Sequence, residues 1–188
     1  LNTGLNKNEY NYFRDNNVEV QEAKWNVDVP KYKILGRDHL KTQVARAFLP
    51  DYFPNNKVYI WLDADLWLND LQSFLLYEKG ALSNCLTITP QSDRAYFNNA
   101  NVEWFLNFPI KVKTINFKNI GKSISKKLAK KYAFYSTLNA GAFAISSKKE
   151  IWECLQKNVK LAAKKGRIFG TDQVALALTV YEDKVPTQ

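Results

Sequence analysis

Lys57-Val-Tyr-Ile-Trp-Leu-Asp-Ala-Asp65 is the stretch on which the reading of this chain turns. Val58 to Leu62 are apolar without interruption, the pattern of a central strand covered on both faces. The run stops at two carboxylates with one residue between them. Such a strand end fits the carboxyl edge of an open α/β sheet, where ligands bind. Two hard oxygen donors at that spacing suit Mn2+ or Mg2+, which keep open positions for substrate phosphates. A plainer reading also stands, because Asp after a strand often turns the chain or caps a helix. Asp70 is the better placed cap for the helix that follows.

On the C-terminal side, a helix is expected from Asn69 or Asp70 to Tyr77, closed by Gly80. Cys85 to Pro90 reads as a strand, followed by a polar turn over Gln91-Ser92-Asp93-Arg94. Residues 97–121 read as irregular, and Ser123 to Tyr132 as a very basic helix. Leu138 to Ile145 is a second apolar strand with a small-residue break inside it. Ser146-Ser147 would cap a helix from Lys148 to about Lys164, with Ile151, Trp152, Leu155, Val159 and Ala162 on its apolar side. Gly166 and Gly170 flank a linker, and Thr171 would cap a last helix through Leu178. On the N-terminal side the pattern predicts a helix over Asn6 to Asn16, a short strand at Val18–Val20, a loop from Ala23 to Arg37, and a helix from Asp38 to Phe48. Strands alternating with helices predict an α/β fold, a mostly parallel sheet flanked by helices.

The 188 residues suit one domain, and 46% hydrophobic content excludes a disordered chain. No apolar run approaches the roughly 18 residues of a transmembrane helix. Leu1-Asn2-Thr3-Gly4 carries no basic leader or apolar signal core. A cytoplasmic location is therefore the expectation. The start at Leu1 and the absence of Met point to an excised piece of a longer protein. Cys85 and Cys154 are too few for a disulfide framework and read as buried thiols. His39, the single histidine, reads as a helix-start or surface residue.

The formal charge of +9 is local. Eight of the 27 basic residues lie between Lys111 and Lys131, a stretch without an acid, and without them basic and acidic residues nearly balance. Lysine surfaces bind phosphate backbones or anionic headgroups. Ile120, Ile124, Leu128 and Tyr132 could form an apolar stripe between the lysines, as on a membrane-surface helix. A solvated basic face is the plainer reading. No nucleic-acid module is recognisable, so nucleic acid is not an expected partner.

Four segments together resemble the nucleotide-diphospho-sugar transferases of GT-A fold, nearest to glycosyltransferase family 8 and its bacterial relatives. They are Ala45-Arg46-Ala47 with Leu49-Pro50, Val58 to Asp65, Leu138-Asn139-Ala140-Gly141-Ala142-Phe143, and Gly170-Thr171-Asp172-Gln173. The likeness spans roughly residues 38–180 and rests on order and spacing, since Asp-x-Asp alone is common. It implies a GT-A-like, Rossmann-like sheet and transfer of a sugar from a nucleoside-diphosphate sugar, UDP being the commonest family choice, to a glycan or glycolipid acceptor. It favours retention at the anomeric carbon.

The resemblance also implies roles. Asp63 and Asp65 would hold Mn2+ or Mg2+ on the diphosphate, with Ala64 between them at the donor. Arg46 would offer its fork to phosphates or a sugar hydroxyl. Asn139, Ala140 and Gly141 would lie along the donor sugar. Asp172 and Gln173 are the candidate catalytic pair, meeting sugar hydroxyls or orienting the acceptor. Each has a duller alternative: Arg46 as a surface helix residue, Asn139 and Gly141 as a β-bulge, Asp172 as a helix-start carboxylate, Asp93-Arg94 as a turn ion pair.

Two departures stand out. The family's first strand, which holds the base, has no counterpart before the Asn6 helix, and nothing after Asp172 could serve as its late metal-binding histidine. The single domain over residues 1–188 is thus expected to lack its first strand and C-terminal segment.

Two other classes compete. Haloacid-dehalogenase-like phosphatases also carry Asp-x-Asp after a strand, but a Thr or Val usually follows where this chain has Trp67. A non-catalytic basic module would bind anionic membrane or glycan through Lys111–Lys131. The same patch gives a transferase a peripheral contact at the inner membrane face. As strand-end carboxylates, Asp63 and Asp65 should each be replaceable by Ala without loss of fold.

Overall fold

Leu138 to Ser146 is the most buried extended segment of the chain, and the sheet forms around it. The structure is a computed structural model that describes residues 1–92 and 100–188. Three strands pair in the spatial order β1 (Val58–Leu62), β5 (Leu138–Ser146) and β2 (Thr87–Pro90). Val58 lies opposite Ser146 and Leu62 opposite Ala142, while Ile88 lies opposite Phe143. Both pairings are antiparallel.

The α/β class stands, but the mostly parallel sheet does not form. β1 and β2 do run in the same direction, joined through helix α5 (Leu71–Leu82), as a crossover unit requires. β5 is inserted between them and opposes both. A run such as Val58–Leu62 is buried equally well by a parallel or an antiparallel neighbour, so hydrophobicity alone does not set direction. β1 is also an edge strand, where a central one was expected. Its Asp63 end donates its N–H to Gly141 O at 2.8 Å, which turns the N–H and C=O groups of Val58, Ile60 and Leu62 to the outer edge. The outer side of β2 is met by the chain end, where Leu86 N–H bonds to Pro186 O at 2.9 Å.

Helices cover both faces. On one side α5 packs on β1 and β5, where Phe74 and Tyr77 line a small cavity with Ile60, Leu62 and Ala142. On the other, Tyr59 packs edge-on against Trp152 of α8 (Lys149–Lys165), with ring centroids 5.5 Å apart. Successive strand residues point to opposite faces, so Tyr59 and Ile60 separate the two layers. α8 buries Ile151, Trp152, Leu155, Val159 and Ala162 at the predicted spacing, and α9 (Thr171–Tyr181) packs against it and against β5. α8 starts after Lys148 with no side-chain cap, because Ser146 belongs to β5. α9 follows Gly170 in left-handed conformation, and the Thr171 hydroxyl donates backward to Arg167 O.

Helix α5 has its cap at Asp70, which accepts from Ser73 N–H at 2.8 Å. It runs past Tyr77 and through Gly80, which was expected to close it. Gly80 is where the helix touches the sheet: a Cβ there would penetrate the buried Thr87 hydroxyl. Gly80→Ala is expected to lower stability by about 1–3 kcal/mol. An unchanged midpoint in thermal denaturation followed by circular dichroism would show that helix and strand can part at no cost.

Elsewhere the elements are more broken than predicted. α1 (Lys7–Asp15) has the expected place, opened by a reciprocal cap between Asn6 and Glu9. The Val18–Val20 strand is absent; the pairing falls instead at Asn2 and Glu22. A short α2 (Lys31–Ile34) follows. The single helix over Asp38 to Phe48 is divided into 3-10 turns at Asp38–Lys41 and Arg46–Phe48, around α3 (Thr42–Ala45) and before α4 (Leu49–Tyr52). Pro50 has no N–H to offer the Arg46 carbonyl one turn back, so a regular helix cannot continue there.

Residues 100–121, read as irregular, form a hairpin of β3 (Ala100–Phe105) and β4 (Phe108–Thr114), then α6 (Ile115–Ser123). The basic helix expected over Ser123 to Tyr132 is shorter: α7 (Lys126–Tyr132) begins afresh at Ser125, whose hydroxyl accepts from Leu128 N–H. Ile120 and Tyr132 are buried, and Ile124 and Leu128 pack with them against Val174 and Leu178. That stripe faces the protein, not a membrane. Among the described residues no helix is long and apolar enough to cross a bilayer. The cysteines, expected buried, are half-buried; burial pushes the Cys154 thiol up to about 11, and it donates to Asp183 at 3.1 Å.

Candidate functional site

Trp61 and Asp63 stand two residues apart and so share one face of the β1 strand end. Trp61 Nε1 donates to Asp63 Oδ1 at 2.7 Å. Under that pair lies Arg46, whose guanidinium carbon is 4.6 Å from the centre of the Trp61 ring. The 3-10 turn that carries Arg46 directs its side chain inward, and only 3% of the residue is exposed.

Arg46 joins four elements. Its Nε donates to Thr42 O at 3.0 Å and its Nη1 to Ala140 O at 2.7 Å. Nη1 also meets Asp172 Oδ2 at 2.8 Å, and Nη2 meets Asp63 Oδ1 at 3.2 Å. Arg46 is thus no surface residue, and four of its five N–H groups have partners within the protein. The fork fixes the strand end, the β5 backbone and the start of α9, and Arg46 also lines the cleft along β1.

Asp172 is buried at the first residues of α9. Its Oδ1 accepts the N–H of Gln173 at 2.8 Å while Oδ2 holds Arg46. Burial is the main influence on this carboxyl and pushes it above the ordinary carboxylate value; Arg46 and the Gln173 N–H pull it back, and Asp63 adds to the push. A carboxylate so placed positions Arg46 and has little surface left for sugar hydroxyls. Gln173 lines a different cleft, of about 360 Å3, with Lys118, Lys122 and Arg167.

Asn139, Ala140 and Gly141 come to the same place from β5. The pairing of β2 with β5 slips between Ile88 and Pro90, where the partner moves from Phe143 to Leu138. The three residues therefore form the irregularity anticipated as a bulge. Asn139 Oδ1 accepts from Gly141 N–H at 3.0 Å, across that irregularity. Gly141 is a place of close approach: a Cβ would lie 3.1 Å from Asp63 Oδ2 and 3.2 Å from Asn139 Oδ1 and would press both aside by a few tenths of an ångström. Those two oxygens converge over the glycine.

Beyond Asp63 the chain turns, with Leu66 N–H bonded to Asp63 O at 3.0 Å, and Ala64 and Asp65 exposed at the turn. Among the described residues the Asp65 carboxylate has no partner. Arg46, Asp63 and Asp65 line one cleft of about 770 Å3 along β1. Arg46 is shared between the carboxylates of Asp63 and Asp172, which leaves the exposed Asp65 carboxylate at the same cleft for a cation. The donor set is hard oxygen: Asp65, and Asp63 Oδ2 beside Asn139 Oδ1. It fits Mg2+ or Mn2+ held by one or two carboxylates and completed by phosphate and water. It does not fit a closed protein cage, because no three His, Cys, Asp or Glu side chains gather among the described residues.

Asp93 and Arg94 lie outside the described residues. His39 is exposed in the turn Asp38–Lys41, as expected. Two participants were missed. Trp61 holds both Asp63 and Arg46, and its place two residues before Asp63 on a strand was the available signal. Gln43 accepts Gly170 N–H at 3.0 Å and ties α3 to the start of α9, a contact across 127 residues with no local signature. Compared with known family models, curated proteins and solved structures, the chain matches none.

Proposed function

We propose that this chain carries the donor site of a metal-dependent glycosyltransferase, GT-A-like in design, that moves a sugar from a nucleoside-diphosphate sugar to a glycan or glycolipid acceptor. The carrying observation is the exposed Asp65 carboxylate, unpaired among the described residues, next to the braced Asp63 at the rim of the cleft along β1. The antiparallel insertion of β5 is compatible with this reading, because β1 and β2 still bring their carboxyl ends to one side.

On this reading Asp63 and Asp65 hold Mn2+ or Mg2+. A bound metal would offset the negative charge that grows on the diphosphate as the sugar leaves. Arg46 and Asp172 keep Asp63 in place. Gly141 lets Asp63 and Asn139 close over the β5 backbone, and Asn139 supplies an amide at the donor's side. Gln173, with the basic residues around it, meets the acceptor.

Calorimetric titration of UDP and then other nucleoside diphosphates, with and without Mn2+, tests the proposal. Binding that requires Mn2+ and is reversed by a chelator is the expected result. Failure of every nucleoside diphosphate to bind in the presence of Mn2+ would reject it for this chain.

A further inference from the structure

The β3–β4 hairpin carries a large apolar surface with no core behind it among the described residues. Trp104, Phe105, Leu106, Phe108 and Ile110 are between 61% and 81% exposed, and all but Ile110 lie at the tip. Leu106 occupies the turn at φ 51, a left-handed position that glycine or asparagine takes at less cost. An 81% exposed leucine is held there all the same.

Behind the tip the surface is basic. A cleft of about 650 Å3 runs between the hairpin base and α6, with Phe117 and Ile115 in its wall and Lys113, Lys118, Lys122 and Lys126 around it. Lys111 and Lys113 share Glu103. Among the described residues Lys118, Lys122 and Lys126 have no acidic partner.

We infer that this hairpin is a membrane-docking element: its tip enters the headgroup region of an anionic bilayer while Lys118, Lys122 and Lys126 hold lipid phosphates. Trp and Phe favour the membrane–water interface, and lysines near an anionic surface add attraction. An apolar tip with lysines behind it matches the layering of a bilayer, whose apolar interior lies beneath anionic headgroups. Nucleic acid would engage the lysines but leave the tip in water. The inference does not depend on sugar transfer, although Lys118 and Lys122 also border the cleft that holds Gln173.

Co-sedimentation with phosphatidylcholine vesicles, with and without phosphatidylglycerol, tests it on the chain as it stands. Binding is expected with phosphatidylglycerol, weakening as salt rises. The double variant Lys118→Gln/Lys122→Gln should bind about 25-fold less tightly, about fivefold for each lysine. Leu106→Ser should lose about tenfold or more, with an unchanged circular dichroism spectrum. Three results would overturn the inference: no binding of the unaltered chain to phosphatidylglycerol vesicles, native-like binding by Leu106→Ser, or full displacement by inorganic phosphate at constant ionic strength. The last would mark a small-anion site.

Discussion

Arg46→Met is expected to remove about 3–5 kcal/mol of folding stability, the usual effect of deleting one partner from a buried ion pair. Methionine keeps much of the length of the side chain and its contact with Trp61, so lost packing is a minor part. What remains is Asp172, buried and without its counter-charge, and Ala140 O, without its donor. The size of the loss depends on pH in a direction that follows from Asp172. Its carboxyl is already raised by burial, and without Arg46 it rises further. A raised carboxyl makes the ionised form a burden on the fold. That burden is absent below the ordinary carboxylate value and grows as pH climbs through the raised one. Urea denaturation of Arg46→Met should therefore show a large deficit near neutrality and a smaller one in acid. An equal deficit at both pH values would mean that the guanidinium acts through packing and its bonds to Thr42 O and Ala140 O, not through the charge of Asp172. Arg46→Lys should recover little, because one ammonium cannot replace bonds made in three directions from a planar fork.

The second large effect separates the two carboxylates of Asp63-Ala64-Asp65. Asp65→Ala is expected to leave stability within about 0.5 kcal/mol, as for other exposed positions. It should nonetheless lower Mn2+-dependent nucleoside-diphosphate binding by more than about 100-fold, since losing even an outer partner of a metal ligand lowers affinity 10–100-fold. Asp63→Ala should lose binding as well, and also about 1–3 kcal/mol of stability, because Trp61 Nε1 and an Arg46 N–H are left without their acceptor. Asp63→Asn, which keeps an acceptor oxygen, should restore part of the stability and little of the binding. Calorimetry and denaturation of the three variants read the split. If Asp65→Ala binds UDP and Mn2+ as the unaltered chain does, the carboxylate pair is not a metal site. The sequence alone led to equal tolerance at both positions; the structure distinguishes them because only Asp63 is half-buried and tied to Arg46.

Much of the local order was legible. The place of α1, the Asp70 cap, the apolar face of α8 and the strands at Val58–Leu62 and Leu138–Ser146 all follow from short-range spacing. Where the reading failed, the competing cause was local in some places and distant in others. Pro50 breaks the Asp38 helix through a rule visible in the sequence. The hairpin was hidden because its strands alternate poorly: both faces are exposed, and Pro109 sits where the pairing shifts register.

The sequence by itself determined the places of β1, β2 and β5 and of helices α1, α5, α8 and α9, that two carboxylates end an apolar strand, and that the positive charge gathers between Lys111 and Lys131. Only the tertiary structure decided that β5 enters the sheet between β1 and β2, that Arg46 turns inward to Asp63 and Asp172, and that the Ile120 stripe is covered while the hairpin tip is bare. Each of these last is a contact between residues far apart in the chain. Period and propensity describe neighbours a few residues away, whereas strand order and buried ion pairs depend on which surfaces meet once the whole core closes.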